Sequence, residues 1–348
     1  MSVMPVISSV LESSLSAQQV SRDTFPTEPV ENRFEVSFPA MGTLIAIVTY
    51  TSNREVAESA FSMARQRVQA IENTLTDYDP ESETRRLTDI AAHGPVVVSN
   101  DLWNVLMACD RWYQLSNGKF DASLGQVTQL WRKHRRAGRL PAPEQVAAAL
   151  EQTGWSNIRF DRDKHLVEFL KSGIRLDFGA IGKGYAVDAV FDVLQQHDLS
   201  QSLVNMSGNI RCGRSPPGAK YWTIEIAAPK SGQTPVRHIG IQHCAVATSG
   251  DLWQFTVVNG VRRSHIIDPR AGYGVPGPLS VTAFTDGSAA DADALATAAC
   301  ILPDDEAIAL AESLEGAACL IVRPAENEDE TGSEFRILES ASFPVSLD

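Results

Sequence analysis

From Ser202 onward the chain breaks into short runs rich in β-branched and aromatic residues: SLVNM, WTIEIA, AVATS, LWQFTVV, VRRSHII, LSVTAFT, CLIVRP and FRILE. Runs of that length, bounded by Gly, Pro, Asn and Asp, read as strands. Helical patterns enter only after Gly182, over Asp291 to Ile301 and over Asp304 to Glu315. Strands therefore do not alternate with helices, which argues against a doubly wound sheet and predicts an α+β fold. Within this half, VVNGVR joins two of the runs, because Asn259 and Gly260 both tolerate positive φ in a type I′ turn. That hairpin returns His265 toward DPRAGYG.

The first half is more helical. Strand-like alternation begins at Phe34, and FEVSF, PAMG and TLIAIVTY predict a hairpin turning at Ala40 to Gly42. Val56, Ala57, Ala60, Phe61, Ala64, Val68, Ile71 and Leu75 recur at helical spacing, giving a wide apolar stripe. A second helix is expected from Asn100 as N-cap, burying Leu102, Val105, Leu106 and Cys109 until SNGKFDAS breaks it. PAPEQVAAALEQTGW reads as a short helix closed by Gly154, and 138–143 as a surface loop. Residues 1–33, polar and rich in Ser, Pro and Glu, are expected to be a mobile segment. Residues 34–340 then form one domain, or two intimately packed subdomains, without internal repeats.

Composition narrows the function. A chain of 348 residues with 43% hydrophobic content can bury one large core or two fused ones. Its 30 basic and 43 acidic residues leave a net charge of −13, which argues against a nucleic-acid partner, since that needs clustered positive charge. Any anionic ligand must be held locally. The 5 cysteines are scattered and suggest neither a disulfide framework nor a CxxC metal site. No apolar run reaches the roughly 18 residues of a membrane helix, so no transmembrane segment is expected. The N-terminus lacks a basic signal region, consistent with a cytoplasmic protein or with the remnant of an export signal.

Several motifs could carry chemistry, and each has a plain structural reading. RLDFGAIGKGYAVDAV, residues 175–190, reads as a strand end, a glycine-rich turn and a helix start. It fits neither G-x-x-x-x-G-K-[ST] nor G-x-G-x-x-G. A helix starting at Gly182 would nevertheless aim free N–H groups, its positive dipole end and Lys183 at an anion. In SHIIDPRAG, His265 could accept a proton near neutrality, yet alone it reads as a half-buried strand residue beside a turn capped by Asp268. In AADADALATAACIL, Asp293 and Thr297 stand one turn apart on one helix face, where a carboxylate and a hydroxyl could share a hard cation. Helix capping by Asp291 or Asp293 and back-bonding by Thr297 is the structural alternative. VATSGD (246–251), NMSGNIRCG (205–213) and GKFDAS (118–123) read as small-residue turns near strand ends, suited to close approach of a flat or phosphorylated ligand.

Taken in order, PAMGT, LTDYDPESE, GKFDAS, LDFGAIGKGYAVD, LVNMSGNIR, VATSGD, SHIIDPRAG and DADALAT resemble the ApbE family of magnesium-dependent FAD:protein FMN transferases over roughly residues 34–325. The resemblance implies mixed and antiparallel sheets flanked by helices, with a nucleotide site in a central cleft. It implies FAD as substrate, Mg2+ as cofactor, AMP as product, and an acceptor flavoprotein with a target Thr or Ser. It further implies that Met41, Tyr78, Asp121, Ala122, Ser123, Asp177, Lys183 and Ile267 contact the nucleotide. Metal would be held by the Ala180 carbonyl, Asp293 and Thr297, with His265 as base. A monomer or homodimer in the bacterial cell envelope or periplasm is the expected setting. Two departures stand out: Ala296 where some members carry a further aspartate, and Ser207-Gly208-Asn209 where Gly-Gly-Asp is common. A magnesium-dependent FAD pyrophosphatase giving FMN and AMP, or a non-catalytic FAD-binding protein, are the alternative activities.

Overall fold

The computed structural model describes residues 32–228, 234–258, 260–324 and 335–348. The expected mobile segment falls outside them apart from its last two residues, which open the first strand. In chain order the elements are β1 (Asn32–Ala40), β2 (Thr43–Thr51), α1 (Arg54–Leu75), α2 (Glu83–Ile90), β3 (Val96–Val97), α3 (Asn100–Leu115), α4 (Gly125–Arg136), α5 (Pro143–Leu150), β4 (Ile158–Asp161) and β5 (Leu166–Phe169). Then come α6 (Gly182–Gln196), β6 (Ser202–Met206), β7 (Asn209–Cys212), β8 (Trp222–Ile226), β9 (Arg237–Ile241), β10 (Cys244–Gly250), β11 (Phe255–Val258), β12 (Val261–Ile267) and β13 (Gly274–Pro276). The chain closes with β14 (Ser280–Thr285), α7 (Ala289–Ile301), α8 (Asp304–Glu312), β15 (Ala317–Pro324) and β16 (Phe335–Glu339).

Among the described residues an 8-stranded antiparallel sheet runs β1-β2-β6-β7-β10-β14-β15-β16. Smaller sheets, β11-β12-β13, β3-β5-β4 and β8-β9, lie outside it. This is the expected α+β architecture. Both faces of the large sheet are covered, so alternate residues of one strand enter different cores. In β10, Ala245 and Ala247 pack with α1, α6 and α7, while Cys244 and Val246 pack with Trp222, Ile239 and Ile241 of the β8-β9 hairpin. That two-sided burial explains why AVATS shows no polar alternation, and why VATSGD is mostly strand rather than the expected turn.

The predicted hairpin turn is a two-residue connection with Met41 at φ 48° and Gly42 at φ 75°. The helix caps shift slightly from expectation. Ser99, not Asn100, caps α3, its Oγ accepting from the Leu102 N–H at 3.3 Å. Ser288 caps α7 by accepting from the Asp291 N–H at 3.1 Å. The helix α5 stops at Leu150, short of Gly154, and α8 at Glu312. Asn259 lies outside the described residues, but Gly260 has φ 77° and β11 and β12 pair across it as expected.

One reading is corrected. Residues 175–178, expected as a strand end, do not form a strand: among the described residues a single parallel bridge joins Arg175 to Leu124. The helix α4 falls between the turn expected at 118–123 and the loop expected at 138–143, where the sequence reading assigns no element. Its narrow apolar face, Val127 and Trp131 with Leu124 before them, docks on Ile267, and its last turn carries Lys133, His134, Arg135 and Arg136.

Candidate active site

Two helices that cross almost backbone to backbone build the centre. A Cβ placed on Gly184 would stand 2.2 Å from the Ala289 carbonyl oxygen, so only glycine permits α6 and α7 to approach this closely. The approach brings Asp293, 3% exposed, to the start of α6. Its Oδ2 accepts from the Gly184 N–H at 3.2 Å and from Lys183 Nζ at 3.3 Å. The Gly182 N–H is bonded to the Phe178 carbonyl, so the open helix N-terminus expected from sequence is partly engaged by the protein itself. Its positive dipole end faces a protein carboxylate.

Capping does not explain Asp293 or Thr297. Ser288 holds the cap position, and Thr297 Oγ1 lies 3.1 Å from Ser249 Oγ at the end of β10. Lys183 Nζ also donates to the Gly179 carbonyl at 3.2 Å, which ties the Gly179-Ala180 turn to the Asp293 carboxylate. The potential donors here, a carboxylate, hydroxyls and a turn carbonyl, are hard oxygens of the type magnesium takes, with water completing the shell. Among the described residues no group of three or more His, Cys, Asp or Glu is gathered as a metal cluster. A dication here would rest on one carboxylate and neutral oxygens.

The nucleotide candidates surround this centre unevenly. The Met41 side chain lies over the start of α6, since a Cβ on Gly182 would meet its Cε at 3.5 Å. The next residue but one, Thr43, hydrogen-bonds through its hydroxyl to Ser207, joining the β1-β2 turn to the β6-β7 turn. Asp177 is fully engaged: Oδ1 accepts from the Gly179 N–H at 2.9 Å, and Oδ2 from Thr128 and Arg132, each at 2.7 Å. Its own N–H donates to the Ala122 carbonyl at 2.9 Å, which joins the GKFDAS loop to the glycine turn. In that loop Asp121 accepts from the Ser123 N–H and hydroxyl, and burial pushes its carboxyl above the ordinary range. Ala122 and Ser123 are buried.

Arg132, on the unexpected α4, bridges Asp77 and Asp177 and lies over the Tyr78 ring at 4.8 Å. Tyr78 itself is 71% exposed, an aromatic face open to a planar partner. The Ile267 side chain, by contrast, is buried against Leu124, Val127 and Trp131, which leaves its main chain as the route to a ligand. Arg132, Thr128, Asp77 and Ser249 were missed from sequence. A basic last turn following apolar residues four apart, Val127 and Trp131, was the signal for α4.

His265 sits on β12 with its backbone N–H and its Nδ1 both directed at the Gln254 carbonyl, at 3.0 and 3.2 Å. A carbonyl partner places the proton on Nδ1 and leaves Nε2 as the acceptor. The ring is partly exposed but closely surrounded. Desolvation first, then the charges of Arg135 and Lys183, push its pKa down to about 4, against the pull of the Gln254 carbonyl and Asp251. It is therefore a neutral base at physiological pH, close enough to Lys183 to feel its charge. The sheet carrying it is fixed by Asp251, fully buried, which pairs with Arg262 Nε at 2.6 Å and accepts from the Leu279 N–H at 2.9 Å.

A profile of the ApbE family matches residues 41–321. This chain belongs to the ApbE family. An FAD:protein FMN transferase from Treponema pallidum is 29% identical over 304 residues, 82% of this chain and 83% of that one. One from Haemophilus influenzae is 30% identical over 256 residues, 72% of this chain and 74% of its own. The solved flavin transferase ApbE from Vibrio cholerae superposes with a TM-score of 0.79 at 25% identity, covering 90% of this chain and 98% of that one. The ApbE protein of Thermotoga maritima gives 0.77 at 29%, with the same coverage. The ApbE fold thus extends beyond the profile match, to most of the described chain.

Proposed function

We propose that this chain transfers the FMN portion of FAD to a Thr or Ser hydroxyl of an acceptor flavoprotein and releases AMP. The observation that carries the reading is the convergence of a neutral histidine, a lysine, the buried Asp293 carboxylate and the part-buried Thr297 hydroxyl around the α6-α7 crossing. A pure binding protein has no use for a proton acceptor at such a centre. In this proposal Asp293, Thr297 and the Ala180 carbonyl hold Mg2+, which when bound supplies charge neutralisation for the pyrophosphate oxygens. Lys183 balances anionic charge beside it. Met41, the exposed Tyr78 face and the Asp121 to Ser123 loop receive the nucleotide, with Asp177 shaping the turn they share. His265 Nε2 takes the acceptor proton. The unit spans residues 34–340, and the bacterial cell envelope or periplasm is its place of work, which fractionation of the native protein tests against the cytoplasm.

The decisive experiment mixes the protein with FAD, magnesium and a candidate acceptor, and follows AMP together with acceptor mass. AMP with a flavin-sized mass gain supports the proposal. AMP with free FMN and no mass gain identifies a pyrophosphatase, and absence of AMP with every acceptor and cation tried leaves a flavin binder.

A further inference from the structure

The cysteines, scattered in sequence, are not all isolated in space. Cys109, Cys300 and Cys319 are buried, and the last two direct their thiols at backbone carbonyls rather than at another sulfur. Cys212 and Cys244 instead stand directly opposite each other on the paired strands β7 and β10, with their sulfurs 3.9 Å apart. Opposed residues of antiparallel neighbours have Cα separations of about 4.5–5.5 Å, inside the range of about 4.4–6.8 Å that a disulfide spans. We propose that Cys212 and Cys244 form an oxidisable dithiol that closes to a cross-strand disulfide when a peroxide reaches it.

Access and reactivity both favour the pair. Both residues are buried, at 1% and 2% exposure, but they border a cavity of about 210 Å³ shared with Arg211, Arg214 and His243, so a small oxidant in that space needs only a local opening to reach the sulfurs. The Cys244 thiol, burial notwithstanding, and the N–H groups of Cys244 and His243 hold the Cys212 thiol below its ordinary pKa. The thiolate is the reactive form. Cys212 sulfur attacks the O–O bond, gaining a hydroxyl as sulfenic acid and releasing hydroxide. Cys244 sulfur then attacks Cys212 sulfur, the S–S bond forms, and the hydroxyl leaves with the Cys244 proton as water. The released hydroxide takes up the proton first lost from Cys212, so the dithiol gives two electrons and one hydrogen peroxide becomes two waters. Closing the sulfurs requires a movement of about 2 Å, accessible through side-chain rotation.

Position gives the crosslink its consequence. The strand β7 begins at Asn209, after the turn bonded to Thr43, and β10 ends beside Thr297. A disulfide at their other ends pins the two strands together without touching the candidate active site.

Treating the full chain with hydrogen peroxide under native conditions, then alkylating in denaturant and mapping peptides, tests this directly. The expected result is loss of two hydrogens, localised to a linked pair of peptides containing Cys212 and Cys244. A Tm rise of about 5 °C, reversed by dithiothreitol, should accompany it. The variants Cys212→Ser and Cys244→Ser should each lose the crosslink. If either variant fails to fold, the wild-type map decides alone. Alkylation of both residues after peroxide, conversion of Cys212 to sulfinic acid without a crosslink, or a crosslink formed elsewhere overturns the proposal.

Discussion

A histidine whose folded pKa is about 4 is a poor proton acceptor by driving force, yet it is almost wholly in the accepting form. Desolvation is the larger cause, and Arg135 and Lys183 add to it; an anionic pyrophosphate placed among those cations would offset their part alone. The imidazole then moves part of the way back toward the ordinary value of about 6.5 when substrate is present. His265→Gln should therefore slow AMP release by about 10²- to 10⁴-fold while leaving the far-ultraviolet spectrum unchanged. For the wild type, kcat/KM should show no histidine titration between pH 6 and 8, and a fall only near the free-enzyme pKa. A profile centred near 6.5 in kcat/KM would contradict the electrostatic reading. Stability follows with a definite sign. Between about pH 4 and 6.5 the unfolded chain binds the proton that folded His265 refuses, so the folded state loses stability as pH drops through that window. Melting temperatures measured across pH 4–7 should slope less steeply in His265→Gln than in the wild type.

Elements place such residues only where they can approach. At the α6-α7 crossing, Gly184→Ala would drive a Cβ into the Ala289 carbonyl, backbone against backbone, with no flexible neighbour to yield. The helices would part and the Gly184 to Asp293 hydrogen bond would lengthen. A stability loss of about 1–3 kcal/mol in urea unfolding is expected, with AMP release reduced further than that loss explains. Full activity in this variant would show that the close crossing is dispensable. The same crossing shows what could be read from sequence. Asp293 and Thr297 are legible because helix periodicity fixes which residues share a face, and Gly182 and Lys183 because a glycine-rich turn marks a helix start. The Gly184 contact is not, because it depends on two helices distant in sequence. The helix α4 escaped for a different reason: its apolar face is narrow and its last turn strongly basic, so it resembles a solvated loop until Ile267 docks on it. Ile267 packs with it: its side chain points into that small core, so a ligand contact at this position would run through the main chain. Residues 175–178 had the composition of a strand, but pairing requires a neighbour, and among the described residues only Leu124 offers a bridge.

At the scale of the whole molecule, the large sheet carries Ser249 while the separate three-stranded sheet carries His265, so the distance between base and centre depends on how these two sheets are joined. The buried pair of Asp251 and Arg262 is one such join. Asp251 follows the end of β10, Arg262 lies on β12, and Arg262 Nη2 also donates to the Asp251 carbonyl at 2.6 Å. Its side chains are 0% and 18% exposed, so removing one charge leaves the other desolvated and unpaired. Asp251→Asn should accordingly cost about 3–5 kcal/mol. Loss of stability alone does not show that the pair positions His265, and a second substitution separates the effects. Replacing both residues together, Asp251→Leu with Arg262→Met, removes the stranded charge and should recover much of the stability. If the pair sets the register between the sheets, kcat remains low in the double variant although its unfolding midpoint recovers. Recovery of kcat along with stability would mean that the ion pair only holds the fold, and that β12 finds its place by packing against α4 and α7.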